Sequence, residues 1–331
     1  MACGGDGTLA GVPRLEIKRQ MGRGDIAAVS ELLEVAGEVD GHPALGEHQW
    51  LDLVAGGREG FAGLVAWEPG HSHPVGYAQL THETRRRSWA LELVVDPHHR
   101  DRHPDIGPRL GAAALAIVRA EGGGHVQLWI PRPTPAHDAL AADLGLARDR
   151  DLLQLRRPLP YPAEEPSLAV RPFVPGRDDG AWLAMNARAF AAHGEQGAWT
   201  AETLADRLTQ PWFDADGFLL HERQGRLAGF CWTKVHPDRH PPLGELYVVA
   251  VDPDFQGHGL GRALAATGLA HLGDRGLPVA MLYVDAANGP AVGLYRSMGF
   301  AVDHLDRSYT AEVVPSQPRA PAPTPTTEPM P

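Results

Sequence analysis

The run Leu91-Glu92-Leu93-Val94-Val95-Asp96-Pro97 returns 156 residues later as Tyr247-Val248-Val249-Ala250-Val251-Asp252-Pro253. Both runs are short, apolar and rich in β-branched residues, and both stop at Asp-Pro. That is the pattern of a buried strand ending in a turn. The surroundings repeat as well. A Gly-containing loop and an Ala/Leu-rich helix follow each run, over 107–120 and 261–272, and each helix leads to another apolar strand, at 126–130 and 279–284. Each series closes on a short helix ending in Leu144-Gly145-Leu146 or Met298-Gly299-Phe300. A repeat of this size is a duplicated domain and not a solenoid unit. The 331 residues therefore read as two copies of one α/β plan.

The second copy opens with a strand at 170–173, a helix over 179–190 and two antiparallel strands at 217–220 and 229–235. The Pro-punctuated stretch 157–166 suits a semi-rigid linker. The expected organisation is a flexible N-terminus (1–13), an N-terminal domain (14–157), a linker (158–167), a C-terminal domain (168–312) and a Pro-rich tail (313–331). Seven of the last 17 residues are proline.

Composition narrows the function. Charged residues make up 21% and apolar residues 43%, which excludes a fibrous or wholly disordered chain. A net charge of -11 repels phosphate backbones and anionic lipid, arguing against nucleic-acid or membrane partners. No apolar run approaches the ~18 residues that span a bilayer, and no signal-peptide pattern is read. Cys3 and Cys231 are too few for a disulfide framework, so a reducing cytoplasm is the expected location. His71-Ser72-His73, His98-His99 and His103 form close pairs, but no His-Glu-x-x-His helix exists. They read as solvated loop histidines, and no metal is expected. A monomer is expected.

Gln256-Gly257-His258-Gly259-Leu260-Gly261-Arg262 lies between the second Asp-Pro strand and its helix. Glycines let several backbone N–H groups converge on one anion at a helix N-terminus. A dinucleotide fingerprint would need a third glycine where Arg262 stands, and a Walker loop would need Lys-Ser/Thr. Alone, the run is explained equally well by a turn and a cap. In its strand–loop–helix–strand–helix setting it resembles the Q-x-x-G-x-G/A loop of the GCN5-related N-acetyltransferases, which bind the pyrophosphate of acetyl-CoA there. Asn288 with Tyr295-Arg296-Ser297-Met298-Gly299-Phe300 is similar to that family's closing pattern. More narrowly, Glu195-Gln196-Gly197, the run 230–237 and Gly244-Glu245-Leu246-Tyr247-Val248 resemble tandem-domain members of the family. Those members acetylate the cysteinyl amine of a cysteine–glucosamine–inositol precursor.

The resemblance implies two tandem domains, each a mixed, mostly antiparallel sheet flanked by helices. It implies acetyl-CoA as co-substrate, a small-molecule acceptor, Glu245 as general base and Tyr295 as general acid. The cofactor would lie on Val249, Ala250 and Val251, on Gln256, Gly257, His258, Gly259, Leu260, Gly261 and Arg262, and on Asn288, Gly289, Pro290, Ala291, Val292 and Gly293. Leu93, Val94 and Val95 would be the first-copy equivalents. Asp40, Glu195, Lys234, Glu245 and Tyr283 would contact the acceptor, with Asp40 bringing the first domain into play. Other acceptors (another small amine, an aminoglycoside, a protein N-terminus) and a non-catalytic acetyl-CoA sensor are the alternatives. Glu245 together with Tyr295 argues against the sensor.

The first copy lacks this pair. Trp89 stands where the second copy has Glu245, and Ala141 where it has Tyr295. Glu92 is the nearest carboxylate, and in a period-2 strand it points to the opposite face. Pro104 and Asp105 replace a donor and a glycine in the loop, so the first domain is expected to be catalytically silent. Cys231 reads as a small strand residue, not an acyl carrier.

Overall fold

The structure, a computed structural model, describes residues 13–71, 73–83, 88–162, 168–191 and 196–316. The first half of the chain forms β1 (Arg14–Lys18), α1 (Arg23–Asp40), α2 (Glu47–Val54), β2 (Phe61–Trp67), β3 (Gly76–Glu83), β4 (Ser88–Val95), α3 (Ile106–Ala120), β5 (Gly124–Pro131), α4 (Pro135–Asp143) and β6 (Ala147–Pro158). The second half forms β7 (Arg171–Pro172), α5 (Asp179–Ala189), α6 (Ala201–Leu208), β8 (Phe218–Arg223), β9 (Arg226–His236), β10 (Leu243–Val251), α7 (Leu260–Asp274), β11 (Val279–Asp285), α8 (Gly289–Ser297) and β12 (Ala301–Val313).

These elements make two compact units. Unit 1 holds the residues up to Arg150 and those from Asp306 on, and unit 2 holds Asp151–Leu305. Unit 1 has strand order β1-β2-β3-β4-β5-β12, with β4 and β5 parallel and the other pairs antiparallel. Unit 2 has order β7-β8-β9-β10-β11-β6, with β10 and β11 its parallel pair. The expected mixed, mostly antiparallel architecture is present in both.

Where the units divide differs from the expected 14–157 and 168–312. Residues 152–158 of β6 pair with β11, and residues 306–313 of β12 pair with β5. Each unit thus takes its last strand from the other half of the sequence. The physical reason is the ladder itself: Leu155 is fully buried in the unit 2 core, and Tyr309 and Val313 are buried in that of unit 1. The start of the expected linker is packed too. Leu159 N–H donates to Pro278 O at 2.9 Å, and the Arg157 guanidinium sits 4.5 Å from the Tyr161 ring centre. Residues 163–167 lie outside the described residues, as do 1–12 and 317–331.

Helices cover both faces of each sheet. In unit 2, Leu260, Leu264, Ala265, Leu269 and Leu272 of α7 pack on one face, while Trp182 of α5 and Leu204 of α6 pack on the other. The α5/α6 side is aromatic, with Phe218 stacked on Trp232 at 4.2 Å and Trp182 edge-on to both. On the α7 side the helix approaches the sheet so closely that a Cβ on Gly268 would stand 2.4 Å from Cys231 Sγ. Cys231 is small because the helix leaves no room for more, and burial pushes its thiol up to about 12.

The Asp-Pro corners explain the repeat. Asp252 Oδ1 accepts from Asp254 N–H at 3.0 Å, and Asp96 Oδ1 from His98 N–H at 2.8 Å, so each aspartate caps the turn that its proline opens. Burial alone would raise the Asp252 pKa, but the Arg188 guanidinium and the Asp254 amide outweigh it and hold the carboxyl below its usual range.

Candidate active site

β10 is the axis of the site. Its parallel pairing with β11 covers only Leu243–Glu245 against Val279–Met281, although β10 continues to Val251 and β11 to Asp285. The two strands therefore part just beyond Glu245, opening a wedge whose wall is the backbone of β10. The antiparallel partner β9 tracks β10 throughout, with one irregularity. Leu246 faces Thr233 and Val248 faces Trp232, so Tyr247 is an inserted residue, a β-bulge. The bulge switches the facing of the strand: Leu246, Val249 and Val251 pack toward α7, while Tyr247, Val248 and Ala250 pack toward α5.

Glu245 lies at the point where the strands part. Its side chain is buried, and Oε2 is 2.7 Å from His236 Nε2, near the end of β9. Lys234 is its cross-strand neighbour. The Lys234 ammonium lies 4.3 Å from the Trp212 ring centre and 5.7 Å from that of Tyr247, a cation held against aromatic faces.

At the other end of β10, a 3-10 turn (Pro253–Phe255) leads into the exposed residues 256–259 and then α7. Gly257 has φ +83° and Gly259 φ +73°, and a Cβ at either would meet nothing within 4 Å. Glycine is needed there for the left-handed backbone and not for space. The curl ends on the first turn of α7, whose N–H groups have no acceptor within the helix and carry the positive end of its dipole. Gln256 Nε2 donates back to Val251 O at 3.2 Å, and Arg262 bonds the Ser297 hydroxyl.

α8 closes the unit. Asn288 is its N-cap, with Oδ1 accepting from Ala291 N–H at 3.2 Å, and Pro290 starts the helix as first-turn prolines do. Tyr295 packs edge-on to Phe300 at 5.8 Å, and burial raises its phenol pKa well above the ordinary value. Tyr283 lies on β11 beyond the last parallel pair, and its hydroxyl accepts from Gln154 Nε2 at 2.7 Å.

Residues 183–300, which span this wedge, loop and helix, match the model of the acetyltransferase (GNAT) family. The chain is 43% identical to a mycothiol acetyltransferase of Acidothermus cellulolyticus over 304 residues, covering 87% of this chain and 91% of that one. It is 46% identical to a mycothiol acetyltransferase of Thermobispora bispora over 303 residues, covering 89% and 98%. The chain belongs to the mycothiol acetyltransferase family. It is an N-acetyltransferase, and GNAT acetyltransferases use acetyl-CoA. Among solved structures, a tandem GNAT protein from the clavulanic acid biosynthesis pathway aligns with TM-score 0.67 at 18% identity, covering 92% of this chain and all of that one. A GCN5-related N-acetyltransferase from Sphaerobacter thermophilus aligns with TM-score 0.66 at 22% identity, covering 91% and 96%. Both carry the same fold.

Unit 1 has the same strand plan, and its β4 and β5 also pair over a short stretch only, Ser88–Leu91 against His125–Leu128, but the side chains at the corresponding positions differ. Its β3–β4 ladder runs in unbroken register from Gly76↔Val95 to Glu83↔Ser88, so β4 has no counterpart of the Tyr247 bulge. Trp89 is buried, donates from Nε1 to Gly123 O at 3.2 Å and stacks on His82. Ala141 is fully buried where α8 carries Tyr295. Asp105, with φ -82°, occupies the N-cap position of α3 where α7 has a left-handed glycine. Leu93, Val94 and Val95 complete β4, with Leu93 and Val95 toward the α3 core and Val94 toward that of α1. Glu92 lies on the Val94 face, toward α1, and so corresponds in facing to Glu245 on the α5 side of β10 and not to the opposite face that was expected. The Tyr247 bulge shifts the parity of β10 by one. Burial raises Glu92 to about 8.

Of the remaining expected acceptor contacts, Asp40 ends α1 and receives a bidentate bond from Arg100 at 2.7 and 2.6 Å. Glu195 lies outside the described residues. Sequence reasoning missed His236, Trp212 and Tyr247. A cross-strand register between β9 and β10 would have exposed His236, since it faces Leu243, two residues from Glu245 on the same side of the pleat. Among the described residues, no helix is long and apolar enough to cross a membrane.

Proposed function

We propose that unit 2 transfers the acetyl group of acetyl-CoA directly to the cysteinyl amine of a cysteine–glucosamine–inositol acceptor, the last step of mycothiol biosynthesis. The observation that carries the reading is a coincidence in one unit. A buried carboxylate stands at the mouth of a bulged strand pair, a curled glycine loop lies at the strand's other end, and Tyr295 lies on the closing helix. Unit 1 has the same fold but an unbulged β4, no left-handed glycine in the loop into α3, and alanine where Tyr295 stands. The relatives' shared name gives the acceptor.

In this reading the pantetheine runs along Val249, Ala250 and Val251, where β10 has parted from β11 and its peptide groups can pair with the cofactor's amides. The pyrophosphate rests on the amides of 256–262, beside Arg262, and the first turn of α8 (Asn288, Gly289, Pro290, Ala291, Val292, Gly293) lines the same channel. A backbone N–H of the bulged strand polarises the thioester carbonyl and stabilises the tetrahedral oxyanion. Glu245 takes the amine proton, directly or through one water, and the amine nitrogen attacks the carbonyl carbon. As the C–S bond breaks, the sulfur takes up a proton from Tyr295, whose raised pKa keeps it protonated at neutral pH. His236 holds the Glu245 carboxylate in place. A polar, many-hydroxyl acceptor is served by Asp40, Glu195, Lys234 and Tyr283 as hydrogen-bonding groups. Cys231 takes no part, since its thiol is buried and pushed up to about 12. The chain acts as a monomer in a reducing cytoplasm.

The deciding experiment supplies acetyl-CoA with the cysteine–glucosamine–inositol acceptor and follows the acetylated product by mass spectrometry. Turnover of that acceptor supports the reading. No product with it, alongside acetylation of an aminoglycoside or a peptide N-terminus, overturns the acceptor.

A further inference from the structure

Unit 1 gathers five residues that the sequence keeps on separate loops. Glu68 and His71 lie on the connection from β2 to β3, and Asp96, His99 and His103 on the connection from β4 to α3. Turn bonds fix each set: His71 N–H donates to Glu68 O at 3.3 Å, His99 N–H to Asp96 O at 2.9 Å, and His103 N–H to His99 O at 2.8 Å. His99 Nε2 lies 3.2 Å from Glu68 Oε2 and 3.1 Å from His71 Nε2. His71 Nδ1 lies 3.4 Å from the same Glu68 oxygen. One donor atom from each of the three residues falls within 4.8 Å of the other two. Ligand atoms ~2.1 Å from a zinc ion at the corners of a tetrahedron are about 3.4 Å apart. The 3.1 and 3.2 Å contacts of His99 Nε2 are near that edge length, and His71, which meets its two neighbours through different nitrogens, offers one of them to a shared cation.

The unpaired buried groups point the same way. His99 Nδ1 is 3.1 Å from Oδ2 of Asp96, a carboxylate almost wholly buried, and neither of these two buried atoms makes a hydrogen bond. His99 Nε2 faces the Glu68 carboxylate in a site closed to water on the Glu68 and His99 side. A buried carboxylate with unpaired buried polar atoms beside it is costly unless a positive charge lies among them. His103 Nε2, 3.2 Å from Glu68 Oε1, steers the second carboxylate oxygen, while His71 is about one-third exposed and leaves an approach from solvent.

We propose that unit 1 carries a zinc-class divalent cation site, with Glu68, His71 and His99 as ligands and Asp96 and His103 as the groups that orient them. Two imidazoles and a carboxylate suit zinc, cobalt or nickel and not magnesium or calcium, which take oxygen ligands. No metal was expected from the sequence because no one helix carries the set; the fold assembles it from two loops. The loop after β4 corresponds to the one after β10 that curls its amides outward. In unit 1 that loop turns imidazoles inward, so the bound cation clamps the β2–β3 connection to the β4–α3 connection.

The test uses the full chain, stripped with a chelator and dialysed, and titrated with zinc alone against a chromogenic chelator. Cobalt(II) serves as an absorbance probe of coordination. The expected result is one zinc per chain, visible cobalt bands of a four- or five-coordinate site, and a raised thermal midpoint on zinc addition. His71→Ala and Glu68→Gln should each weaken zinc by about 100-fold, whereas His240→Ala, outside the cluster, should not. His71 is exposed at the surface, so its variant keeps the fold, which circular dichroism checks. Absence of saturable binding overturns the proposal. So does equal affinity in His71→Ala and His240→Ala, which would mean diffuse capture by the chain's 17 histidines.

Discussion

Replacing Glu245 with glutamine removes the proposed base while disturbing little else. The carboxamide matches the carboxylate in size, can still accept from His236 at the observed 2.7 Å, and fits the same buried position on β10. What it cannot do is take a proton. A positioned general base is worth about 10²–10⁴ in rate, or about 3–5 kcal/mol of barrier. Because water can substitute in part, Glu245→Gln is expected near the lower figure, a loss of about 100-fold in kcat. The KM for acetyl-CoA should stay within about threefold, since the pyrophosphate loop starts at the far end of the strand and the change costs under about 0.7 kcal/mol there. The acceptor carries its own thiol, so a thiol-reactive dye would count substrate along with released CoA. The product is therefore measured by mass spectrometry or with labelled acetyl. A His236→Ala arm separates base from support: alone it should cost about tenfold, and added to Glu245→Gln it should cost almost nothing more, the coupling expected of residues that act through one another. Turnover of Glu245→Gln within about threefold of the parent would refute the assignment. So would a loss appearing wholly in the KM for acetyl-CoA.

Gly257→Ala and Gly259→Ala each force a Cβ into a left-handed backbone with open space around it, so the cost is conformational alone, about 1–2 kcal/mol. The KM for acetyl-CoA should rise about 5–30-fold with kcat nearly retained; an unchanged KM removes the loop from the cofactor site. Tyr295→Phe keeps the ring against Phe300 and should lower kcat by about 10–100-fold, whereas full activity would show that solvent protonates the thiolate. Glu92 has a folded pKa of about 8, raised by burial above its ordinary 4.5. It therefore favours the fold below pH 4.5, and that contribution is lost as pH climbs through about 8. Glu92 keeps some contact with water, so Glu92→Gln should relieve about 2 kcal/mol at pH 8–9 and little at pH 5. Thermal midpoints of variant and parent that fall in parallel from pH 5 to 9 would contradict this.

Much of the fold and part of the site lay open in the sequence. The Asp-Pro stops work through local chemistry, with an aspartate capping a turn that its proline opens, so their recurrence marked both central strands. The glycine loop and the Asn288 cap are local for the same reason. What stayed hidden depends on pairing. Periodicity tells which residues alternate, not which strand lies alongside, so the placement of 152–158 beside β11 and of 306–313 beside β5 had no local signal. The Tyr247 bulge is one extra residue in an apolar run, invisible until β9 supplies the count. His236 and the Glu68–His71–His99 cluster are contacts made across strands and loops, which spacing along the chain does not encode.

The placement of β6 and β12 has a consequence for the history of the chain. Severing it at the sequence's own punctuation, near 163–167, would leave the first fragment with the edge of β5 uncovered and the second with the edge of β11 uncovered. Both are long, apolar edges of the kind that recruit foreign strands. The duplication is therefore a ratchet. Once each copy closed its sheet with the strand encoded beside the other, the copy lacking Glu245 and Tyr295 could no longer be deleted without opening the copy that has them. Its retention needs no ligand of its own to explain it; seven residues of backbone hydrogen bonding, 152–158 against β11, are enough.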